Sequence, residues 1–162
     1  MTRTVKTPDG VNVAVQQWGN GEGPGLLLIH GFSQSHLSWT NQVSSDLAKA
    51  FHLVTYDLRG HGQSDKPVEP AFYTESHRWA DEVQAVMEAA GLSRPVLVGW
   101  SYGGRIVSDY LMRYGDDGIA GVEYVSANTN RDLNAGSPAL KVMVGMASHD
   151  FATNLTSTRE FL

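Results

Sequence analysis

Apolar and polar positions change rhythm several times along the chain, and each rhythm predicts an element. In "VNVAVQQW" the residues Val11, Val13 and Val15 alternate with their neighbours, the period of two that marks a strand with one buried face. "RTVK" precedes it, with "PDG", Pro8 to Gly10, between; the pair predicts a hairpin closed on a tight turn. "GNGEGPG" is loop by composition. "LLLIH" then runs apolar at consecutive positions and stops at His30-Gly31, as a central strand covered on both faces would. From Ser38 to Lys49 the residues Trp39, Val43, Leu47 and Ala48 fall at helical spacing, which predicts a helix with Ser38 as its N-cap. "FHLVTYD" predicts a further strand centred on Leu53 and Val54, and the glycine-rich "RGHGQSDKP" after it reads as a connection.

The second half repeats the alternation. Trp79, Val83, Val86, Met87 and Ala90 share one face of a helix predicted from Thr74 to Ala90, and Gly91 stops it. "PVLVGW" is a strand, and "YGGRIVSDYLMRYG" a helix with Ile106, Val107, Tyr110, Leu111 and Tyr114 on one side. "IAGVEYVSA" supplies another strand, "NTNRDLNAGSP" is loop, and Pro138 to Ala147 opens a short helix. Strands alternating with helices imply right-handed crossovers. The fold class expected is therefore α/β, a mostly parallel sheet with helices on both faces.

Composition narrows the functional classes. With 162 residues, 41% hydrophobic and 18% charged, the chain holds enough apolar material for one domain with a packed core. Twelve basic and seventeen acidic residues give a net charge of −5 with no long run of either sign, which argues against a nucleic-acid surface or a polybasic membrane anchor. A neutral or modest-sized substrate fits better. Cysteine is absent, so disulfides and thiolate metal sites are excluded, and the six histidines lack metal-ligand spacing. The N-terminus carries no apolar signal segment and the longest apolar run, Leu26 to Ile29, is far too short to span a bilayer. A cytoplasmic location is the default expectation.

The chemistry concentrates in "VLVGWSYGG", residues 96 to 104. A parallel strand that runs directly into a helix leaves a tight turn at its carboxyl end, where open α/β sheets bind ligands. A serine at the apex of that turn is held in a strained conformation, and strand and helix approach so closely that small residues are required two positions before and after it. Gly99 and Gly103 meet that demand around Ser101. The turn lifts the hydroxyl clear of the sheet, with backbone N–H groups and a helix N-terminus facing the place where negative charge develops.

Taken in order, "LLLIHGF", "YDLRGHGQSDKP" and "VGWSYGG" resemble the three signature stretches of the α/β-hydrolase fold, over roughly residues 10 to 130. The likeness is to its serine-nucleophile esterases, lactonases, carbon–carbon bond hydrolases and cofactor-free haloperoxidase or perhydrolase members. It implies Ser101 as nucleophile, with the backbone N–H groups of Phe32 and Tyr102 as the oxyanion hole. It implies a supporting role for His30 and a structural one for the loop containing Asp57, Arg59, Gly60, His61, Gly62 and Ser64. No metal or organic cofactor is implied. Trp100, beside the nucleophile, lines an acyl pocket or packs in the core; both readings stay open. Arg105 and Arg113 read as solvated, and Met143 and Met146 as core or cap residues.

Serine hydrolysis also needs a histidine and an acid, which in this family follow the nucleophile. After Ser101 the chain offers His149, in a segment resembling the start of a cap, and Asp132, where a minority of the family places the acid. The expectation is a single core domain over 1–162, with about 133–162 opening a cap. The remaining triad is expected in a missing C-terminal segment or a complementing chain. The leading function is a hydrolase of small carboxylic esters or lactones acting through an acyl-enzyme. Rivals are a non-catalytic binding protein or inactive hydrolase remnant, a carbon–carbon bond hydrolase, and a perhydrolase or cofactor-free haloperoxidase.

Overall fold

The alternating valines sit in a hairpin, in which β1 (Thr2–Lys6) pairs antiparallel with β2 (Asn12–Gly19) and Val5 lies opposite Val13. The computed structural model describes residues 2–127, 129 and 138–161. The hairpin turn closes through Gly10 N–H to Thr7 O (2.9 Å) and Thr7 N–H to Val11 O (2.8 Å). Gly10 stands at φ +91°, a conformation that side chains disfavour. The chain divides into two compact units, Met1–Thr129 and Asn130–Leu162.

The first unit is organised by a six-stranded sheet in the order β1-β2-β4-β3-β5-β6, with β3 (Gly25–Ile29), β4 (His52–Tyr56), β5 (Val96–Trp100) and β6 (Gly121–Val125). β2 meets β4 antiparallel, whereas β4, β3, β5 and β6 run parallel. The predicted mostly parallel sheet is therefore present. Val13, Val15, Leu27, Ile29, Val54, Tyr56 and Leu97 form one buried layer with Trp79, Val83 and Val86 of α4 (Ser76–Ala90) and Ile106, Val107 and Tyr110 of α5 (Tyr102–Tyr114). Residues of the opposite parity, Ala14, Gln16, Leu28, Leu53 and Thr55, are buried too. Trp39 meets Trp100 edge-on on that side, ring centroids 6.5 Å apart. Both faces are covered, which is why the strands read as continuous apolar runs.

Two helical expectations need correction. The segment from Ser38 to Lys49 is not one helix: a 3₁₀ turn (His36–Trp39) leads into α1 (Thr40–Val43), and α2 (Leu47–Ala50) is separate. Ser38 is not the cap; Ser35 Oγ accepts the Leu37 N–H at 3.3 Å. The break has a local cause, because Ser45 Oγ donates to Gln42 O (2.7 Å) and accepts from Leu47 N–H (3.3 Å). Such short polar side chains offer the backbone an alternative to helix. Likewise the helix predicted from Thr74 is divided at Glu75 (φ −90°, ψ 108°) into α3 (Ala71–Thr74) and α4. The stop at Gly91 holds, at φ +69°.

The second unit contributes α6 (Pro138–Met146) and α7 (Phe151–Phe161). Sequence periodicity did not predict α7, although its start carries a legible cap: Asp150 Oδ2 accepts from Thr153 N–H (2.8 Å) and Thr153 Oγ1–H (2.6 Å). Asn154 Nδ2 donates to Met146 O, and Gly145 lacks the Cβ that would strike the Ser157 side chain. Met143 and Met146 are half-buried within this pair, and His149 is exposed. Asp132 lies outside the described residues. Among the described residues no helix is long and apolar enough to cross a membrane.

Candidate active site

β5 ends at Trp100 and α5 begins at Tyr102, so Ser101 alone makes the reversal. Its backbone sits at φ +53°, ψ −114°, a region glycine tolerates and other residues enter only under constraint. The constraint is visible. Ser101 N–H donates to Val125 O at 3.0 Å, and Ser101 O accepts from Gly104 N–H at 3.1 Å. A Cβ on Gly99 would stand 2.6 Å from Gly104 Cα, and one on Gly103 would press on the carbonyl oxygens of Ile29 and His30. Gly104 is a third requirement the sequence reading passed over, since its Cβ would meet Ala127. Ser101 is exposed at this apex.

The turn after β3 lies directly against it. Ile29 pairs with Gly99, and a Cβ on Gly31 would stand 3.2 Å from Ser101 Cβ. His30 is fully buried and holds this turn from below: its Nδ1–H donates to Gly31 O (2.8 Å) and its Nε2 accepts the Leu58 N–H (3.0 Å). Burial lowers the His30 pKa to about 4. A neutral ring with a committed acceptor is a support, as the sequence likeness implied. Phe32 follows, and its N–H donates to no protein acceptor among the described residues.

The loop after β4 grips the same turn from the side. Asp57, fully buried, accepts at Oδ1 from His36 N–H (2.7 Å) and His36 Nδ1–H (2.8 Å), and at Oδ2 from Gln63 N–H (2.9 Å). Burial alone would raise its pKa; the Gln63 and His36 hydrogen bonds outweigh that and lower it. Gly62 has no room for a Cβ beside the Asp57 carboxylate. Ser64 Oγ donates to Asp57 O and accepts from Ala14 N–H (2.9 Å), tying the loop to β2. His61 Nε2 accepts the Ser33 N–H (3.2 Å). Phe32, Ser33, Gln34, Gly60, His61, Gly62 and Tyr73 line an open cavity of about 500 Å³. Trp100 is half-buried and lies outside that lining, packed on Trp39.

Beneath the loop, Arg59 is fully buried and saturated with acceptors: Glu82 Oε2 (2.7 Å), Asp9 Oδ2 (2.7 Å), Phe72 O (3.2 Å) and Arg78 O (3.1 Å). Its guanidinium lies 5.5 Å over the Trp79 ring. Burial pushes Glu82 up to about 7 against the pull of the Arg59 charge. Asp9 is desolvated as well, but Arg59, Thr7 and Arg78 hold it well below the usual carboxylate range. Glu82 and Asp9 were missed in the sequence. The legible signal for Glu82 was its place three residues after Trp79 and one before Val83, a carboxylate on the apolar stripe. Arg113 is exposed, as expected, and also pairs with Asp81.

No group of three or more metal-ligating side chains is assembled among the described residues. None of the described histidines of this unit donates to or accepts from Ser101 Oγ.

Comparison with known proteins follows the same lines. A family model for the alpha/beta hydrolase fold matches residues 24–159. A Mycobacterium tuberculosis protein named as a probable oxidoreductase, EphD, is 40% identical over 135 residues, 82% of this chain and 22% of its own. The bifunctional esterase/perhydrolase DCH of Acinetobacter calcoaceticus is 35% identical over 123 residues, 76% of this chain and 44% of its own. The solved esterase RhEst1 of Rhodococcus sp. ECU1013 superposes with a TM-score of 0.87 at 36% identity, over 99% of this chain and 60% of that one. The chain thus spans less than half the length of these two curated relatives. A match running from residue 24 to residue 159 takes in both turns and the parallel strands that carry them, and it places this chain in the α/β hydrolase fold family.

Proposed function

We propose that this chain carries the nucleophile and oxyanion portion of a serine hydrolase that cleaves small carboxylic esters or lactones. The observation that carries the reading is the Ser101 backbone at φ +53°, ψ −114°, exposed on a strand-to-helix reversal with the Gly31-Phe32 turn packed against it. Strain of this kind persists where the surroundings over-determine it, and it is concentrated at reactive groups. Ser101 Oγ attacks the substrate carbonyl as its proton passes to a base. The carbonyl oxygen becomes an oxyanion facing the N–H groups of Phe32 and Tyr102, and the alcohol leaves with a proton. Water then attacks the acyl-serine, releases the acid and restores the hydroxyl. The first unit's histidines are engaged elsewhere, so the base comes from outside it.

Two readings beside this one share its residues. The likeness to an esterase/perhydrolase favours hydrogen peroxide as an alternative acceptor of the same acyl group. A binding protein without turnover would keep the cavity and leave Ser101 inert.

A fluorophosphonate probe applied to the full chain separates them. Labelling at Ser101 that disappears in Ser101→Ala supports acyl transfer; a protein proved folded that takes no label supports binding. Product assay with and without peroxide then distinguishes the two acceptors.

A further inference from the structure

We propose that His61 is a positioning residue for the Phe32 amide, an inference that rests on the acyl-transfer reading above. The resemblance implies a structural role for the loop after β4, yet His61 reaches across to the turn after β3. Its Nε2 accepts the N–H of Ser33, the residue next to Phe32. Ser33 itself stands at φ +57° without being glycine, a conformation that must be held by its neighbours.

The imidazole is well suited to holding it. Nδ1–H donates to Arg59 O at 3.0 Å, which fixes the tautomer and leaves Nε2 as the acceptor. Arg59 cannot shift easily, because its side chain is fully buried between Glu82 and Asp9. His61 N–H also donates to Leu58 O (2.9 Å). The ring then flanks the turn on both sides of Gly31, edge-on to His30 at 5.2 Å and to Phe32 at 6.3 Å. Gly31 O and the Phe32 N–H share one peptide plane, whose carbonyl is tied to His30, and the N–H of the next peptide, that of Ser33, is tied to His61. Held in its own plane and at the adjoining one, the Phe32 N–H has little freedom to turn. A donor aimed in advance at developing charge acts on the transition state rather than on substrate binding.

The test compares His61→Phe, which keeps a ring against Phe32 but removes the acceptor, with His61→Gln, which restores one. In the full chain, fluorophosphonate acylation of Ser101 is resolved into a binding constant and a rate constant, and amide hydrogen exchange is followed at Ser33. His61→Phe is expected to lower the acylation rate constant about tenfold or more with reagent binding unchanged, and to raise exchange at Ser33. His61→Gln is expected to recover both. Unchanged acylation and exchange in His61→Phe, or a loss confined to binding, overturns the proposal. If Ser101 of the unsubstituted protein takes no label, the acyl-transfer reading fails, and with it the catalytic purpose of His61. Exchange at Ser33 then still decides whether His61 holds the turn.

Discussion

At the scale of single residues, the site is built from conformations the side chains resist. Ser101 occupies a region of backbone space open to glycine, so Ser101→Gly should relieve strain that Ser101→Ala retains. Both variants lose the hydroxyl, yet the glycine variant is expected to be more stable than the alanine one by about 1 kcal/mol, net of the greater freedom of glycine in the unfolded chain. Urea midpoints measure this, and equal midpoints would contradict the strain. His30 gives a second prediction through pH. Its folded pKa lies near 4, below the ordinary 6.5, so the unfolded chain binds more protons between those values. Its contribution is therefore complete above pH 6.5 and lost as pH falls toward 4, by up to about 3 kcal/mol. Glu82 slopes the other way: held up at about 7 against 4.5, it contributes most below pH 4.5 and loses that as pH rises through 7. The difference between the unsubstituted protein and His30→Asn isolates the histidine, and its acid slope should flatten in the variant.

At the scale of elements, one ionic cluster ties three of them together: the hairpin turn through Asp9, the loop after β4 through Arg59, and α4 through Glu82 and Arg78. Removing one member leaves a buried charge uncompensated. Arg59→Met is expected to cost about 3–5 kcal/mol, and adding Glu82→Met to recover much of it; thermal melts of the single and double variants form the cycle that tests this. Such clusters are also what the sequence conceals. The strands were legible because burial on both faces writes itself as an apolar run, and Ser101 because its glycines sit at fixed offsets. Asp9 reads only as a turn residue, and His36 falls outside every predicted element, because their partners Arg59 and Asp57 lie 50 and 21 positions away. The break in the helix predicted from Ser38 escaped notice for a different reason. Its apolar spacing is compatible with a helix, and the competing bonds from Ser45 outweigh a weak period. Helix α7 escaped because none of its residues is buried, so no apolar stripe marks it, and Asp150 is the one clear signal.

At the scale of the whole molecule, stability is graded across the sheet. Leu27, Leu53, Val54 and Leu97, on the three inner parallel strands, are fully enclosed, while β1 and β6 stand at the two ends of the strand order. Amide exchange should therefore be slowest on β3, β4 and β5, opening only with global unfolding, and faster on β1 and β6. Exchange of β3 as fast as β6 would refute that grading. The order also has a temporal side. The hairpin needs only the first nineteen residues, but β3 lies between β4 and β5, and Leu26 meets Val96 seventy positions later. While the chain is being synthesised, β3 leaves the ribosome with one flank open until the strand that ends at Trp100 arrives. Nascent chains stalled before that point should present Leu27 and Ile29 to hydrophobic-binding chaperones, and release them once Trp100 has emerged.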